Sequence, residues 1–140
     1  MSVDPNNEVV KLCAAGIEAE MAGRHEEARL IYGEAWERRS NDYESCIVAH
    51  YVARIQTSPQ ELLHWNKQAL TYADKVGDSS VQSFYPSLYL NVAKAYEDMG
   101  DRATAQEYYQ LGAEKCSMLP DDQLGNMTRD AIRRGLERVG

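Results

Sequence analysis

Two short amphipathic segments, separated by a glycine turn, lie between residues 85 and 117 and most constrain the fold of this 140-residue chain. In the first segment, apolar residues recur at steps of one and three, which is the spacing of one helix face: Leu88, Tyr89, Val92, Ala93 and Tyr96. The second segment continues the pattern with Ala105, Tyr108, Tyr109 and Gly112. Between them, Gly100 can adopt the left-handed conformation that ends a helix, and Asp101 can cap the next one. The stretch therefore predicts an α-helical hairpin.

A weaker copy of this pattern occupies residues 8–41. Gly23 stands seven residues after Gly16, just as Gly100 stands seven residues after Ala93. The second half of the copy carries its small and aromatic residues on one side: Ala28, Ile31, Tyr32, Ala35 and Trp36. We expect the first helix of this hairpin to open at Asp4-Pro5, with aspartate as the cap and proline at the first helical position.

A third copy, over residues 42–77, lacks a glycine at its internal turn, so its register is open by one residue. Placing Ala49 at the small position starts this copy 33 residues after the first, and placing His50 there starts it 34 residues after. We favour Ala49, because a small side chain lets paired helices approach closely. Ser58-Pro59, followed by Glu61, is a capping box that opens the second helix.

After Pro120, Asp121 and Asp122 can cap a last helix. Its apolar residues form a single stripe, and four arginines lie around its polar surface. A helix with a polar outer face is typical of the element that closes a repeat array. No convincing alternating strand pattern occurs, so the sequence predicts an all-α fold.

The spacing Tyr89-x2-Val92-Ala93-x2-Tyr96, followed by Ala105-x3-Tyr109, resembles the tetratricopeptide repeat, whose signature is W-x2-L-G-x2-Y, then A-x3-F, then P. The family's closing proline would fall at Ser117, whereas the nearest proline is Pro120. The resemblance implies a single domain over residues 1–140, built as a right-handed superhelical array of three helical hairpins and a C-terminal capping helix. The hairpins would span residues 8–41, 42–77 and 85–118, and the capping helix residues 121–139.

The resemblance also implies that the first helix of each hairpin lines a concave groove. It places Asn91 and Lys94 on the groove wall, with Asn91 where family members often carry an asparagine that bonds the backbone of a bound peptide. In the favoured register, His50 and Arg54 point into the same groove.

Tyr51 is expected to flank this groove, and Tyr85 to form a lip at one of its ends. The groove residues would make a polar, locally positive floor, which predicts capture of a protein or peptide partner through an acidic or C-terminal segment. The alternative is that they are ordinary solvated residues on exposed helix faces.

The composition disfavours other partners. A net charge of −7 argues against nucleic acid and against an anionic membrane surface. No apolar run approaches the roughly 20 residues that span a bilayer, and the N-terminus lacks the pattern of a secretory signal. The three cysteines, at positions 13, 46 and 116, have no metal-ligand spacing and are expected to be reduced thiols in a cytoplasmic protein.

Catalytic chemistry is not expected. His25, His50 and His64 lack the spacing of a metal site, and no glycine loop suits a phosphate, so we expect neither metal nor cofactor. The sequence predicts a non-catalytic protein–protein interaction module. Two alternatives remain open: a scaffold that self-associates, for example as a homodimer, and a small-ligand or hydrolytic pocket around Cys46 and His50, which stand four residues apart on one predicted helix.

Overall fold

The computed structural model describes residues 3–140, so the first two residues of the expected domain lie outside the described part. Seven α-helices occur in it: α1 Glu8–Met21, α2 His25–Arg38, α3 Asp42–Ala53, α4 Pro59–Val76, α5 Tyr85–Asp98, α6 Arg102–Glu114 and α7 Gln123–Val139. Two short 3-10 helices, Ser79–Phe84 and Cys116–Met118, precede α5 and follow α6. Residues 3–140 contain no β-strand. The prediction of an all-α fold is confirmed.

The helices pack as consecutive hairpins. The most extensive contacts join α1 to α2, α3 to α4 and α5 to α6, and α7 packs on both α5 and α6. The hairpins stack in chain order, which gives an all-α helical-repeat superhelix. The first helices are not evenly spaced, however. α1 lies against α3 and α5 lies against α7, whereas α3 and α5 make few contacts among the described residues.

The turns follow the sequence signals with one exception. Gly23 and Gly100 have φ values of +81° and +85°, the left-handed conformation expected of them. The Asp101 side chain caps α6 by accepting a hydrogen bond from the Thr104 backbone N–H at 3.1 Å. The expectation that Asp4-Pro5 opens the first helix is wrong: α1 begins at Glu8, and its cap is Asn7, whose side chain accepts hydrogen bonds from two backbone N–H groups. An asparagine caps a helix as well as an aspartate does, so the sequence offered two nearby starts.

The helix starts fix the register of the middle hairpin. First helices begin at Glu8, Asp42 and Tyr85, and second helices begin at His25, Pro59 and Arg102, so both series are spaced by 34 and then 43 residues. A spacing of 34 puts His50 at the position of Gly16, so the register that favoured Ala49 is wrong. The nine extra residues in the interval of 43 are accommodated by the longer α4 and by the 3-10 helix Ser79–Phe84.

A tyrosine, a glutamate and an arginine join the first hairpin to the next helix. The Tyr32 hydroxyl donates a hydrogen bond to Glu20 Oε1 at 3.0 Å. Arg54, just past the end of α3, donates to both oxygens of Glu20 at 3.2 and 2.8 Å. The third hairpin has the same three residue types in the same contact with α7: Tyr109, Glu97 and Arg138. The C-terminal helix is therefore held by the same contact that joins the first hairpin to the second.

Glycines make room for the two tyrosine rings. A Cβ atom on Gly16 would come within 3.0 Å of the Tyr32 ring, and one on Gly135 would come equally close to the Tyr109 ring. Both rings are completely buried. Each tyrosine can reach its glutamate only because the neighbouring helix has no side chain at that position.

We predict that Gly16→Ala destabilises the protein by about 1–3 kcal/mol, because the added methyl group must displace the Tyr32 ring. Gly33→Ala is the matched control, since a Cβ there meets no atom within 4 Å. Gly33 lies within α2, so alanine should stabilise the protein by up to about 1 kcal/mol through its higher helix propensity. Urea denaturation of both variants measures the two changes, and equal effects would contradict the packing described for Tyr32.

Candidate functional site

A pocket of about 350 Å³ opens between α3 and α5, where these two first helices stand apart. Leu62 and Asn66 of α4 contribute to its lining from behind, and Thr128 contributes from α7. Four of the six residues expected in a groove line this pocket together: His50, Arg54, Asn91 and Lys94. Their shared location is a structural finding, while their role in binding stays a prediction.

The two expected aromatic residues lie elsewhere. Tyr51 packs beside Tyr32, with ring centroids 5.8 Å apart. Tyr85 is buried, and its hydroxyl donates a 2.6 Å hydrogen bond to Asp74 of α4. Neither residue lines the pocket. The expectation of a groove lip at Tyr85 fails because α5 begins at this residue and its side chain packs towards α4.

The positive floor expected from the sequence is absent, because carboxylates pair with its cations. The Arg54 guanidinium binds Glu20, and Lys94 Nζ lies 2.8 Å from Asp98 Oδ1. The hydrogen bond from Arg54 is the main factor that lowers the pKa of Glu20, and it acts against the effect of burial. Glu20 is therefore ionised at neutral pH, and the charges beside the pocket are balanced.

The third expected cation, His50, is neutral. Burial lowers the pKa of His50 to about 4, so its ring carries no charge at pH 7. Its Nδ1 lies 3.4 Å from Asn91 Nδ2. Since an amide nitrogen can only donate, His50 Nδ1 accepts, and the hydrogen of the neutral ring is on Nε2. The pocket thus presents uncharged donors and acceptors between α3 and α5.

Asn66 is the pocket residue that sequence reasoning missed. It is only 4% exposed, and its Oδ1 is buried without a hydrogen-bond partner among the described residues. An unsatisfied buried polar group of this kind costs about 1–3 kcal/mol. Asn66 is the eighth residue of α4, as Tyr32 is of α2 and Tyr109 is of α6. With the register of 34 residues, this replacement of a tyrosine by an asparagine was visible in the sequence.

The enzyme-class alternative around Cys46 and His50 is not supported by the geometry. Cys46 is completely buried and does not line the pocket that His50 lines. Burial raises the pKa of the Cys46 thiol to about 12, so it remains protonated at neutral pH. Only a thiolate is an effective nucleophile. Within residues 3–140, no group of three histidine, cysteine or carboxylate side chains is arranged to hold a metal ion.

Comparisons with known proteins identify the fold. No family model and no curated protein matches the chain. Among solved structures, it is similar to the crystal structure of PcrH from Pseudomonas aeruginosa, with a TM-score of 0.61 and 14% sequence identity. The similarity covers 99% of this chain and 95% of that chain. At this identity it shows the fold alone: a helical-repeat fold of the tetratricopeptide-like type.

Membrane insertion of the helices was also considered. Among the described residues, each helix is either too short or too polar to cross a bilayer.

We predict that His50 makes the protein less stable as the pH falls from 7 to 5. Its folded-state pKa lies below the value of about 6.5 for an unfolded chain, so the unfolded state takes up the proton first. The free energy of unfolding should therefore decrease by about 2 kcal/mol between pH 7 and pH 5.

Urea denaturation at the two pH values measures this decrease, and His50→Gln is the matched control because glutamine does not titrate. The carboxylates with lowered pKa values lose their stabilising effect only below about pH 4.5, outside this window. A wild-type protein with the same pH dependence as His50→Gln would show that His50 is not buried as described.

Proposed function

We propose that this protein is a non-catalytic interaction module that binds a segment of a partner protein in the pocket between α3 and α5. The observation that carries the proposal is the set of polar side chains from three helices that line one pocket: His50, Asn66 and Asn91. A stacked helical array is suited to this role, since its curvature creates an extended concave surface.

A second cavity extends the pocket along α5 and α7. It has a volume of about 380 Å³ and is lined by Pro120 and Leu124, among others. Ser87 and Thr128 belong to the lining of both cavities, so the two form one continuous surface. We name this surface the α3–α5–α7 groove. Its continuity favours an extended peptide over a compact small molecule.

The groove favours an uncharged segment rather than the acidic one expected from sequence. Arg54 and Lys94 already have carboxylate partners, and His50 is neutral. A carboxylate from a partner would have to compete with Glu20 or Asp98 for a cation. The bonding groups that remain are amides, the imidazole and hydroxyl groups, which suit the backbone and the neutral side chains of a peptide.

We predict that Asn91→Ala combined with Lys94→Ala abolishes capture of partner proteins, because both side chains lie in the groove. Affinity purification from the source cell, followed by mass spectrometry, compares this variant with wild type. Lys75→Ala is the matched control, since Lys75 is exposed on α4 and does not line the groove. Circular dichroism checks that the helices are intact. Unchanged capture by the double variant would remove the groove from the account.

Self-association is the second candidate function, and exposed apolar residues at the start of α7 favour it. Leu124 and Met127 are 70% and 60% exposed and stand three residues apart, on one face of the helix. A homodimer would cover them. We expect sedimentation equilibrium to show a concentration-dependent dimer that Leu124→Lys with Met127→Lys abolishes. A monomer at every concentration would rule out this candidate.

A further inference from the structure

The middle hairpin lacks the contact that its two neighbours share. In the first and third hairpins, the eighth residue of the second helix is a tyrosine bonded to the thirteenth residue of the first helix, a glutamate. In the middle hairpin the corresponding residues are Asn66 and Arg54, and Arg54 binds Glu20 of the preceding hairpin instead. The asparagine is left without the partner that the tyrosines have.

The position of the large side chain has also moved from one helix to the other. The first hairpin has a glycine at position 16 and a tyrosine at position 32, whereas the middle hairpin has His50 and Asn66 at the matching positions. The imidazole takes up part of the space that a tyrosine ring fills elsewhere, and the shorter asparagine leaves the pocket behind α3 and α5 open. The pocket lies where the tyrosine contact is missing.

Asn66 provides the independent sign of a ligand. Its side chain is 96% buried, lines the pocket, and has an Oδ1 atom with no hydrogen-bond partner among the described residues. A leucine of similar volume would avoid this unsatisfied oxygen, so packing alone does not explain the asparagine. An acceptor at the base of a pocket favours a ligand group with an N–H to donate.

The charges around the pocket select among such groups. A carboxylate has no N–H, and its oxygens would face the Asn66 Oδ1 atom. An ammonium group has no acceptor and would be buried without a free carboxylate, since Glu20 and Asp98 are already paired. A carboxamide carries both an N–H donor and a C=O acceptor and is neutral, as Asn66 itself is. Two amides can pair whichever way the asparagine amide is turned.

The depth of Asn66 distinguishes a side chain from a peptide backbone. Asn66 belongs to α4, which lies behind the first helices α3 and α5, whereas Asn91 and Lys94 lie on α5 itself. A backbone that runs along the first helices can contact Asn91, but only a side chain can extend back to α4.

We propose that the base of this pocket is a subsite for the side-chain carboxamide of a glutamine or asparagine in the bound segment, and that Asn66 determines this specificity. The inference rests on the proposed function, because it names the residue type that the same groove accepts. Asn66 pairs with the incoming carboxamide, and the amide of Asn91 and the ring of His50 bond the neighbouring part of the segment.

Selection from a displayed library of random twelve-residue peptides tests the subsite, with the full chain immobilised as wild type and as Asn66→Leu. We expect peptides selected by wild type to share glutamine or asparagine at one fixed position. Peptides selected by Asn66→Leu should carry apolar residues there. A wild-type selection without such a position, or the same amide preference in Asn66→Leu, would overturn the inference.

One selected peptide, made with glutamine, glutamate or leucine at the fixed position, gives the size of the effect. Fluorescence anisotropy should show wild type binding the glutamine peptide about tenfold to a hundredfold more tightly than the other two, because each of these leaves the Asn66 oxygen unpaired. For Asn66→Leu the preference should pass to leucine. If the three peptides bind wild type equally while Asn66→Leu weakens all of them, the amide comes from the backbone and the side-chain subsite is wrong.

Two controls separate this inference from the proposed function. Asn66→Leu should unfold at the same temperature as wild type or higher, since it removes an unsatisfied buried group, so a loss of preference cannot be attributed to unfolding. Asn91→Ala with Lys94→Ala should lose the selected peptides altogether. If wild type selects no peptide, or the double variant retains them all, the groove itself fails, which is a different result from a groove that binds without preference for an amide.

Discussion

The hydrogen bond between a buried tyrosine and a half-buried glutamate, completed by an arginine from the following helix, is the interaction on which this stack of hairpins depends. It occurs twice, with Glu20 and with Glu97, and in both places the arginine belongs to the next element of the array. A carboxylate taken out of water is expensive unless a charge and hydrogen bonds compensate it. The Arg138 guanidinium holds the pKa of Glu97 at about 2, which shows that the carboxylate is well compensated. The contact thereby fixes how each hairpin sits on its successor.

The same logic explains where the array opens. The middle hairpin has an arginine where its neighbours have the glutamate and an asparagine where they have the tyrosine, so it cannot form this contact with α5. α3 and α5 accordingly stand apart, whereas α1 and α3, and α5 and α7, lie against each other. A helical array that closes every junction in one way would have no pocket here. The candidate site arises from one departure from the repeat, and the polar residues it exposes are left with unfilled hydrogen-bonding capacity.

Local signals made much of the fold predictable. The glycines at positions 23 and 100 end helices because only a residue without a Cβ takes a positive φ at little cost, and the caps at Ser58 and Asp101 are read from the same few residues that form them. The middle hairpin was harder, because without a turn glycine its register rested on a preference for a small residue. That preference failed: a histidine occupies the small position, and the shorter asparagine opposite it provides the room.

The site was predictable in location but not in character. Spacing on helix faces was enough to bring His50, Arg54, Asn91 and Lys94 together, since all four belong to first helices or their ends. Asn66 was missed because it lies on a second helix, which the repeat pattern assigns to packing. Tyr51 and Tyr85 were misplaced because an aromatic residue beside a groove and one beside a packed helix look alike in a sequence.

The sequence by itself determined the helices, their order and their pairing into hairpins, since periodicity, caps and turns act over a few residues. The tertiary structure alone decided which groups are charged, paired or left free. Arg54 is neutralised by a glutamate 34 positions away, His50 loses its proton because the assembled hairpins bury it, and Asn66 lacks a partner because of what its hairpin does not supply. These properties depend on how whole hairpins stack, and hydrogen bonding and desolvation act through space between residues that no local pattern connects.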